Sequence, residues 1–437
     1  MRTIANCIAV FFVLHFIWSY IWNCYRKGYR LDFWHFSLLQ MLFTTSIMLP
    51  FNRSMMNVVA LSPILLRHAL PYVDEAYLIS ALGYGAFVIG GALWRVNLHV
   101  GLRQKYSHLL NQPVRAAVLL LRSPRLMMFM GIASIGMMAI ILAIYFASVG
   151  FGLRVEGFLL THPGVRPFAQ FAAFIAMTVG GLALGRFEIR RERSMLILSL
   201  LITIALFFYG ARAFLASVIQ LPFLVWVVRR RTRVSLFFLV GVSVFGLFGA
   251  VILDAVRRSH FSLKQVVLSA GIAIAFGNSF SDTRDFALVL SLWDKTFFWG
   301  KTYLAGLLAF VPRFVSPFRD KWSLGVVTAT MAGFSPEAHA GLRIGGSGEA
   351  YLNFGLPAVI LVGLFAGSVT KLIDMRIKEA VVHDPMDVRV YGYTLLALLV
   401  GAVTNTSNFS SLYTVGMLLV FMGLVVLISR FIKIPLG

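Results

Sequence analysis

The sequence predicts an all-α polytopic integral membrane protein with about eleven spanning helices, and three observations carry that expectation. Of 437 residues, 59% are apolar and 13% charged, at a mean hydropathy of +0.84, a balance foreign to soluble domains. The apolar residues gather into runs of about 20, enough for a helix to cross a hydrocarbon core of about 30 Å. The 39 Lys and Arg exceed the 17 Asp and Glu by 22, and the excess arrives in short bursts between those runs. That distribution points to anionic lipid and anionic substrate as partners and excludes nucleic acid.

The runs lie near 3–22, 33–51, 76–95, 126–149, 167–185, 195–209, 212–228, 234–253, 350–370, 390–405 and 411–429. The first ends in Trp22-Asn23-Cys24-Tyr25, without the small residues of a signal-peptide cleavage site, and so reads as a helix. Cys7 and Cys24 sit at its opposite ends, roughly 25 Å apart on a helix, too far for a disulfide. Lys and Arg on alternate sides number 23 and 16, and 10 of the 16 fall in one long loop. The positive-inside rule then predicts a periplasmic N-terminus, a cytoplasmic C-terminus and an outward-facing loop. The chain divides into helices over 1–253, that large loop over 254–349, and helices over 350–437.

As one helix, residues 195–228 would reach about 51 Å, well beyond the hydrocarbon core. Basic clusters at both ends, Arg190-Arg191-Glu192-Arg193 and Arg229-Arg230-Arg231-Thr232-Arg233, require two crossings with a turn at Gly210-Ala211-Arg212. Arg212 is expected near membrane depth, where a guanidinium is costly unless it meets a wet cavity or an anion. The first half of the long loop is mostly apolar, over 266–276 and 286–292, with Arg257, Arg258 and Lys264 interspersed, which suits helices lying in the interface. Its second half reads as an irregular segment that ends at a helix start.

Several chemistries are excluded. Gly300-Lys301-Thr302 resembles the end of a P-loop, but Lys295 stands where its first glycine belongs. The nine histidines are scattered and no metal-binding spacing occurs, so neither metal nor other cofactor is implied. Ser347 lacks the glycine and strand context of a nucleophile elbow. What remains is a set of outward arginines: Arg212, Arg284, Arg313, Arg319 and Arg343, with Arg154 and Arg166 in a shorter loop. Several guanidinium groups on one outer cavity would suit a diphosphate, which they bind bidentately. Arg319 in Arg319-Asp320-Lys321 also reads as a solvated charge cluster, and Arg284, between Asp282 and Asp285, as an ion-paired loop residue.

The segment from Gly345 to Gly355 opens a span at its outer end, with glycines for close approach and helix N–H groups pointing outward. Glu349 is expected in the first turn, as a dipole partner or as a proton acceptor near the lipid–water boundary. Asn353, one turn on, shares its face.

Phe208-Tyr209-Gly210-Ala211-Arg212, Asp282-Thr283-Arg284-Asp285, Val311-Pro312-Arg313 and Gly348-Glu349-Ala350-Tyr351-Leu352-Asn353-Phe354-Gly355 together resemble the Wzy-type O-antigen and oligosaccharide repeat-unit polymerases, including the enterobacterial common antigen branch. The similarity covers roughly residues 195 to 370. It implies a GT-C-like glycosyltransferase of the bacterial inner membrane, free of metal and cofactor. Donor and acceptor would be undecaprenyl-diphosphate-linked glycans, with membrane lipids and a chain-length regulator protein as further partners. Joined to the argument from outward arginines, the resemblance has the diphosphate held by Arg212 and one or more of Arg284, Arg313 and Arg343. Glu349 is the first candidate base, followed by His339 and Asp285, while Tyr351, Asn353 and Ser347 contact substrate. The Asp/Glu-x-Asp signature of metal-dependent relatives is missing from the first outer loop, where Asp74-Glu75 is the nearest approach. An O-antigen ligase, whose acceptor is lipid A core, and a flippase for lipid-linked oligosaccharide are the alternatives.

Overall fold

The structure, a computed structural model, describes residues 1–27, 32–54, 68–93, 111, 113–149, 155, 158–159, 162, 165–209, 212–229, 241, 282–308, 311, 315–335, 341–384, 386–401 and 412–431. Regular structure among the described residues is helical throughout. Among the described residues, five helices are long and apolar enough to cross a membrane: Arg2–Tyr25, Leu70–Leu93, Pro124–Ser148, Phe168–Arg190 and Gly345–His383. Arg193–Tyr209, Val218–Arg229, Arg389–Gly401 and Gly416–Phe431 are shorter and equally apolar in character. Large apolar side chains lie bare on these helices, Phe11 at 61% and Trp18 at 66% exposed on the first, a surface that suits lipid and not water. This is an all-α membrane protein. The expected span at 234–253 lies, but for residue 241, outside the described residues.

The chain separates into two compact units. The first comprises Met1–His99, Arg231–Asp374 and Leu399–Thr414. Within it α1 (Arg2–Lys27) is followed by α2 (Phe33–Leu42), a π-helical turn (Phe43–Ile47) and α3 (Leu49–Ser54). Asp32 starts α2 by accepting from the His35 N–H at 2.8 Å. The run at 33–51 is therefore not one regular helix. Thr44 and Thr45 bond back to the Gln40 and Met41 carbonyls where the turn widens, a side-chain competition that bends helices.

Next in this unit comes α4 (Val73–Leu93). Helix α13 (Gly345–His383) crosses it at backbone distance. A Cβ added at Gly367 would run into the Phe87 carbonyl oxygen, and one at Gly363 would lie 2.6 Å from the Gly83 oxygen. Gly363 and Gly367 are one turn apart, so they give α13 a single groove for α4.

The first half of the long loop ends in α9 (Asp282–Leu292). The second half is not irregular among its described residues, which fold as α10 (Lys301–Leu307), α11 (Pro317–Trp322) and α12 (Leu324–Met331). Short apolar stretches punctuated by Gly300, Pro317 and Ser323 supply the starts and stops. Helix α9 also departs from the expected interfacial helix. Residues from Thr283 to Leu290 are all buried, so α9 is a core element with no lipid- or water-facing side. Phe286, Leu288 and Leu290 share one apolar cluster with Tyr77, Trp293, Phe298, Ile344 and Leu352.

The second unit comprises Val100–Arg230, Met375–Leu398 and Val415–Gly437. Its helices are α5 (Pro124–Val149), α6 (Arg166–Arg190), α7 (Arg193–Tyr209) and α8 (Arg212–Arg229), joined by the end of α13 and most of α14 (Arg389–Gly401) and α15 (Leu412–Phe431). The pair of helices α7 and α8 matches the expected runs at 195–209 and 212–228, while Gly210 and Ala211 lie outside the described residues. Helix α6 packs on α5, α7 and α8 together. Ala169, Ala172, Ala173 and Ala176 keep it thin, and Gly180 and Gly181 receive Ile202, Val218 and Leu221. Cys7 and Cys24 are not joined in a disulfide.

Candidate functional site

In the first unit, Asp282 and Asp285 occupy the first turn of α9, where carboxylates oppose the helix dipole. Arg284 donates from Nε and Nη2 to Asp285 Oδ1 at 3.0 and 2.8 Å, and both side chains are nearly inaccessible. A buried guanidinium is tolerable when a carboxylate takes up its charge. The second Asp285 oxygen accepts from the Arg343 backbone N–H at 3.3 Å, tying α9 to the chain that leads into α13. Burial pushes Asp282 up to about 7, Arg343 pulling it down and Asp285 adding to the rise. Arg284 is thus ion-paired, on a helix and not in a loop, while the Arg343 side chain is exposed.

Helix α13 begins at Gly345, with φ at 65°, so Glu349 stands in its second turn and no acidic residue occupies the first. The expected dipole-partner position is corrected by those extra helical residues. Gly348 leaves room for the Phe286 ring, since a Cβ there would lie 3.1 Å from Cδ2 of that ring. Ser347 turns its hydroxyl toward Gly83 of α4. Tyr351 meets Phe286 and Trp293 edge-on, with ring centres 6.3 and 5.7 Å away.

Glu349 has no exposed surface. Its Oε1 accepts from the Thr302 hydroxyl at 2.8 Å. Asn353 donates from Nδ2 to Thr302 Oγ1 at 2.7 Å and to the Glu349 carbonyl at 2.8 Å, and its Oδ1 accepts from the Gly300 N–H at 2.9 Å. Glu349 and Asn353 therefore share a face, as their spacing requires, and both are bonded to Thr302. Burial raises the Tyr303 hydroxyl, and the charge of Glu349 raises it further.

A break in α13 makes this arrangement possible. Gly355 leaves the helical region at φ 73° and ψ −162°, and Pro357 has no N–H to offer the fourth residue before it. The freed carbonyls of Leu352 and Asn353 accept instead from Phe298 and Trp299, at 2.9 and 3.1 Å. The turn that supplies these donors is strained. Lys295 and Trp299 both hold positive φ, at 67° and 52°, a region that side chains disfavour. Thr302 was passed over in the sequence as part of a failed P-loop match. Its signal was there, in a Gly-x-Thr helix start, but its partners lie 47 and 51 residues on.

His339 and Arg313 lie outside the described residues, as does the side chain of Arg212, which opens α8. Arg154 and the Arg166 side chain fall outside them too. Arg319, half-buried on α11, donates to the Val311 carbonyl, and its neighbours Asp320 and Lys321 are exposed. Asp74 is taken by Arg53, whose Nε donates to it at 2.9 Å, with Asn6 accepting from the same guanidinium at 2.6 Å. The structure thus brings together Arg284, Asp285 and the Arg343 backbone in one place, and Glu349, Asn353 and Thr302 in another, around one apolar cluster. Chemically this offers a desolvated carboxylate with directed donors and an exposed arginine in the same unit. No protein-family model, curated protein or solved structure matches this chain.

Proposed function

We propose that the chain polymerises undecaprenyl-diphosphate-linked oligosaccharide repeat units at the periplasmic face of the bacterial inner membrane. In the reaction, the hydroxyl of an incoming lipid-linked repeat unit attacks the anomeric carbon of the growing glycan. The bond from that carbon to the diphosphate oxygen breaks, and the hydroxyl proton passes to a base. Glu349 takes the proton, with His339 and Asp285 as the other candidates. Arg212, Arg313 and Arg343 stabilise charge on the departing diphosphate, doing by guanidinium what a metal does elsewhere. Arg284, already engaged by Asp285, positions the start of α9. Tyr351 and Ser347 border the sugar path, and Asn353 orients Thr302.

The observation that supports this reading is the Glu349–Thr302–Asn353 set, a carboxylate held dry and oriented in a strongly basic protein. Buried carboxylates are costly and gather at functional sites. Since Glu349 is inaccessible, substrate must displace a covering element. The strained turn from Lys295 to Gly300 is the one whose release would free Thr302 and open a path. The test is end-group analysis on purified protein in liposomes given lipid-linked repeat units. Longer glycans on the lipid carrier support polymerisation. Transfer only to a lipid A core would make it a ligase, and relocation without elongation a flippase.

Two expected results accompany this reading. In a background lacking Cys7 and Cys24, cysteines at Lys295 and Arg319 should react with an impermeant thiol reagent from the periplasmic side, and one at Arg231 should not. The reverse pattern would overturn the orientation. Arg212→Lys keeps a charge but loses the bidentate fork, so elongation should fall nearly as far as in Arg212→Ala, by about 10²-fold. Normal polymerisation by the lysine variant would leave Arg212 as a snorkelling anchor.

A further inference from the structure

The second unit carries its own concentration of arginines, on residues that the reaction above does not use. Residues 113–122 form a helix that sets Arg115, Val118 and Arg122 on one face, at spacings of three and seven. The end of α13 contributes Arg376 and His383, seven apart, and α14 contributes Arg389 and Tyr393, four apart. These three stripes line one cavity of about 670 Å³. A second cavity of about 770 Å³ shares Arg122, Asp384 and Asp387 with it and adds Arg186, Arg190 and Glu192. Both sizes fall within the range of small-ligand sites.

The pairing inside these cavities separates walls from recognition groups. Arg186 is spent on the wall: it donates to Glu192 from Nε and Nη2 at 2.8 and 2.6 Å and to the Leu121 carbonyl. Asp387 is likewise occupied, capping its own turn through the Arg389 N–H at 2.8 Å and pairing with Arg389 Nε at 2.7 Å. Tyr393 donates to Asn111 at 3.0 Å and fixes another side. Arg122 instead presents an exposed guanidinium to both cavities. Arg376 reaches the exposed Glu379 with Nη1, yet its Nε is buried without a hydrogen-bond partner. The first cavity holds four arginines against two aspartates, and one of those aspartates is neutralised by its own arginine neighbour.

Arginines that merely obey the positive-inside rule need only reach water or headgroups. Stripes from three elements that converge on a braced cavity do more. We propose that this cavity binds a phosphate or diphosphate ester, with Arg122 and Arg376 as its principal ligands and Arg115 beside them. Guanidinium forks match phosphate oxygens bidentately, and a phosphate would also satisfy the stranded Arg376 Nε. The same chemistry is offered by a soluble phosphorylated compound and by an anionic lipid headgroup, since basic pockets between membrane helices hold such headgroups. This site is independent of the polymerase reading.

The test uses full-length protein, delipidated in detergent and titrated with inorganic pyrophosphate by calorimetry. In parallel, native mass spectrometry follows phosphatidylglycerol retained after extraction from phosphatidylglycerol–phosphatidylcholine nanodiscs. The double variant Arg122→Gln/Arg376→Gln should weaken the phosphate interaction by about tenfold or more. Pyrophosphate binding lost in the variant identifies a soluble ligand. Phosphatidylglycerol retention lost in the variant, with no pyrophosphate binding, identifies a lipid headgroup. No binding in either arm, or binding indifferent to the substitutions, overturns the proposal. Arg122→Lys guards against misfolding: it keeps the charge, should fold, and should still lose most of the affinity.

Discussion

Glu349→Gln is expected to abolish glycan elongation, with a fall of about 10²- to 10⁴-fold in rate, the scale on which general bases contribute. Glutamine keeps the size of the side chain and an oxygen that can accept from Thr302 Oγ1, so the knot with Asn353 survives. Only basicity is lost. Binding of lipid-linked substrate and the thermal unfolding of the purified protein should stay close to wild type. Thr302→Val supplies the companion measurement. It removes one donor from Glu349 and one acceptor from Asn353, so it should lower stability as well as rate, through orientation and not through basicity. If Glu349→Gln elongates normally, Glu349 is a structural carboxylate that braces α10 against α13, and the search for the base moves to His339 and Asp285.

That prediction could be framed from the sequence but not weighed there. The spacing of Glu349 and Asn353 announced a common face, and helical periodicity is local enough to read directly. Burial of Glu349 depends on Thr302 and on the turn from Lys295 to Gly300, contacts made across some fifty residues of chain that no local pattern encodes. The same contrast runs through the fold. Helices α7 and α8 were legible because their combined length exceeds the bilayer and basic clusters bracket them. Helix α9 was misread as interfacial because mixed apolar and charged sequence looks the same whether its charges meet water or each other. The Arg284–Asp285 pair settles that locally, since adjacent opposite charges neutralise one another inside a core. The break in α13 left its mark in Gly355 and Pro357, while its consequence, two carbonyls redirected to Phe298 and Trp299, needed the tertiary structure. The glycines of α4 and α13 had a pattern too, Gly363-x-x-x-Gly367, whose meaning depends on a partner helix.

Gly367→Leu should show the largest loss of stability. Its missing Cβ faces the Phe87 carbonyl, Cα and carbonyl carbon, all backbone atoms of α4 that no rotamer change can move aside. Gly90 mirrors the contact, with its own missing Cβ against the Leu364 backbone, so both helices would have to separate along their shared length. Overpacking of a well-filled core typically costs about 1 to 3 kcal/mol, and a backbone obstacle belongs at the upper end of that range. Gly423→Leu in α15 is the control, because nothing lies within 4 Å of a Cβ there and leucine favours helix over glycine by about 0.5 to 1 kcal/mol. Thermal unfolding in detergent, read by fluorescence-detected size exclusion, should drop sharply for Gly367→Leu and hold or rise for Gly423→Leu. Since α13 carries Glu349 six residues before Gly355, where the helix breaks and hands over to this crossing, any Gly367→Leu protein that survives should also elongate poorly: its site would rest on a displaced helix. Equal stability of the two variants would mean that α4 and α13 do not cross at backbone distance, and the anchoring of the whole first unit would have to be redrawn.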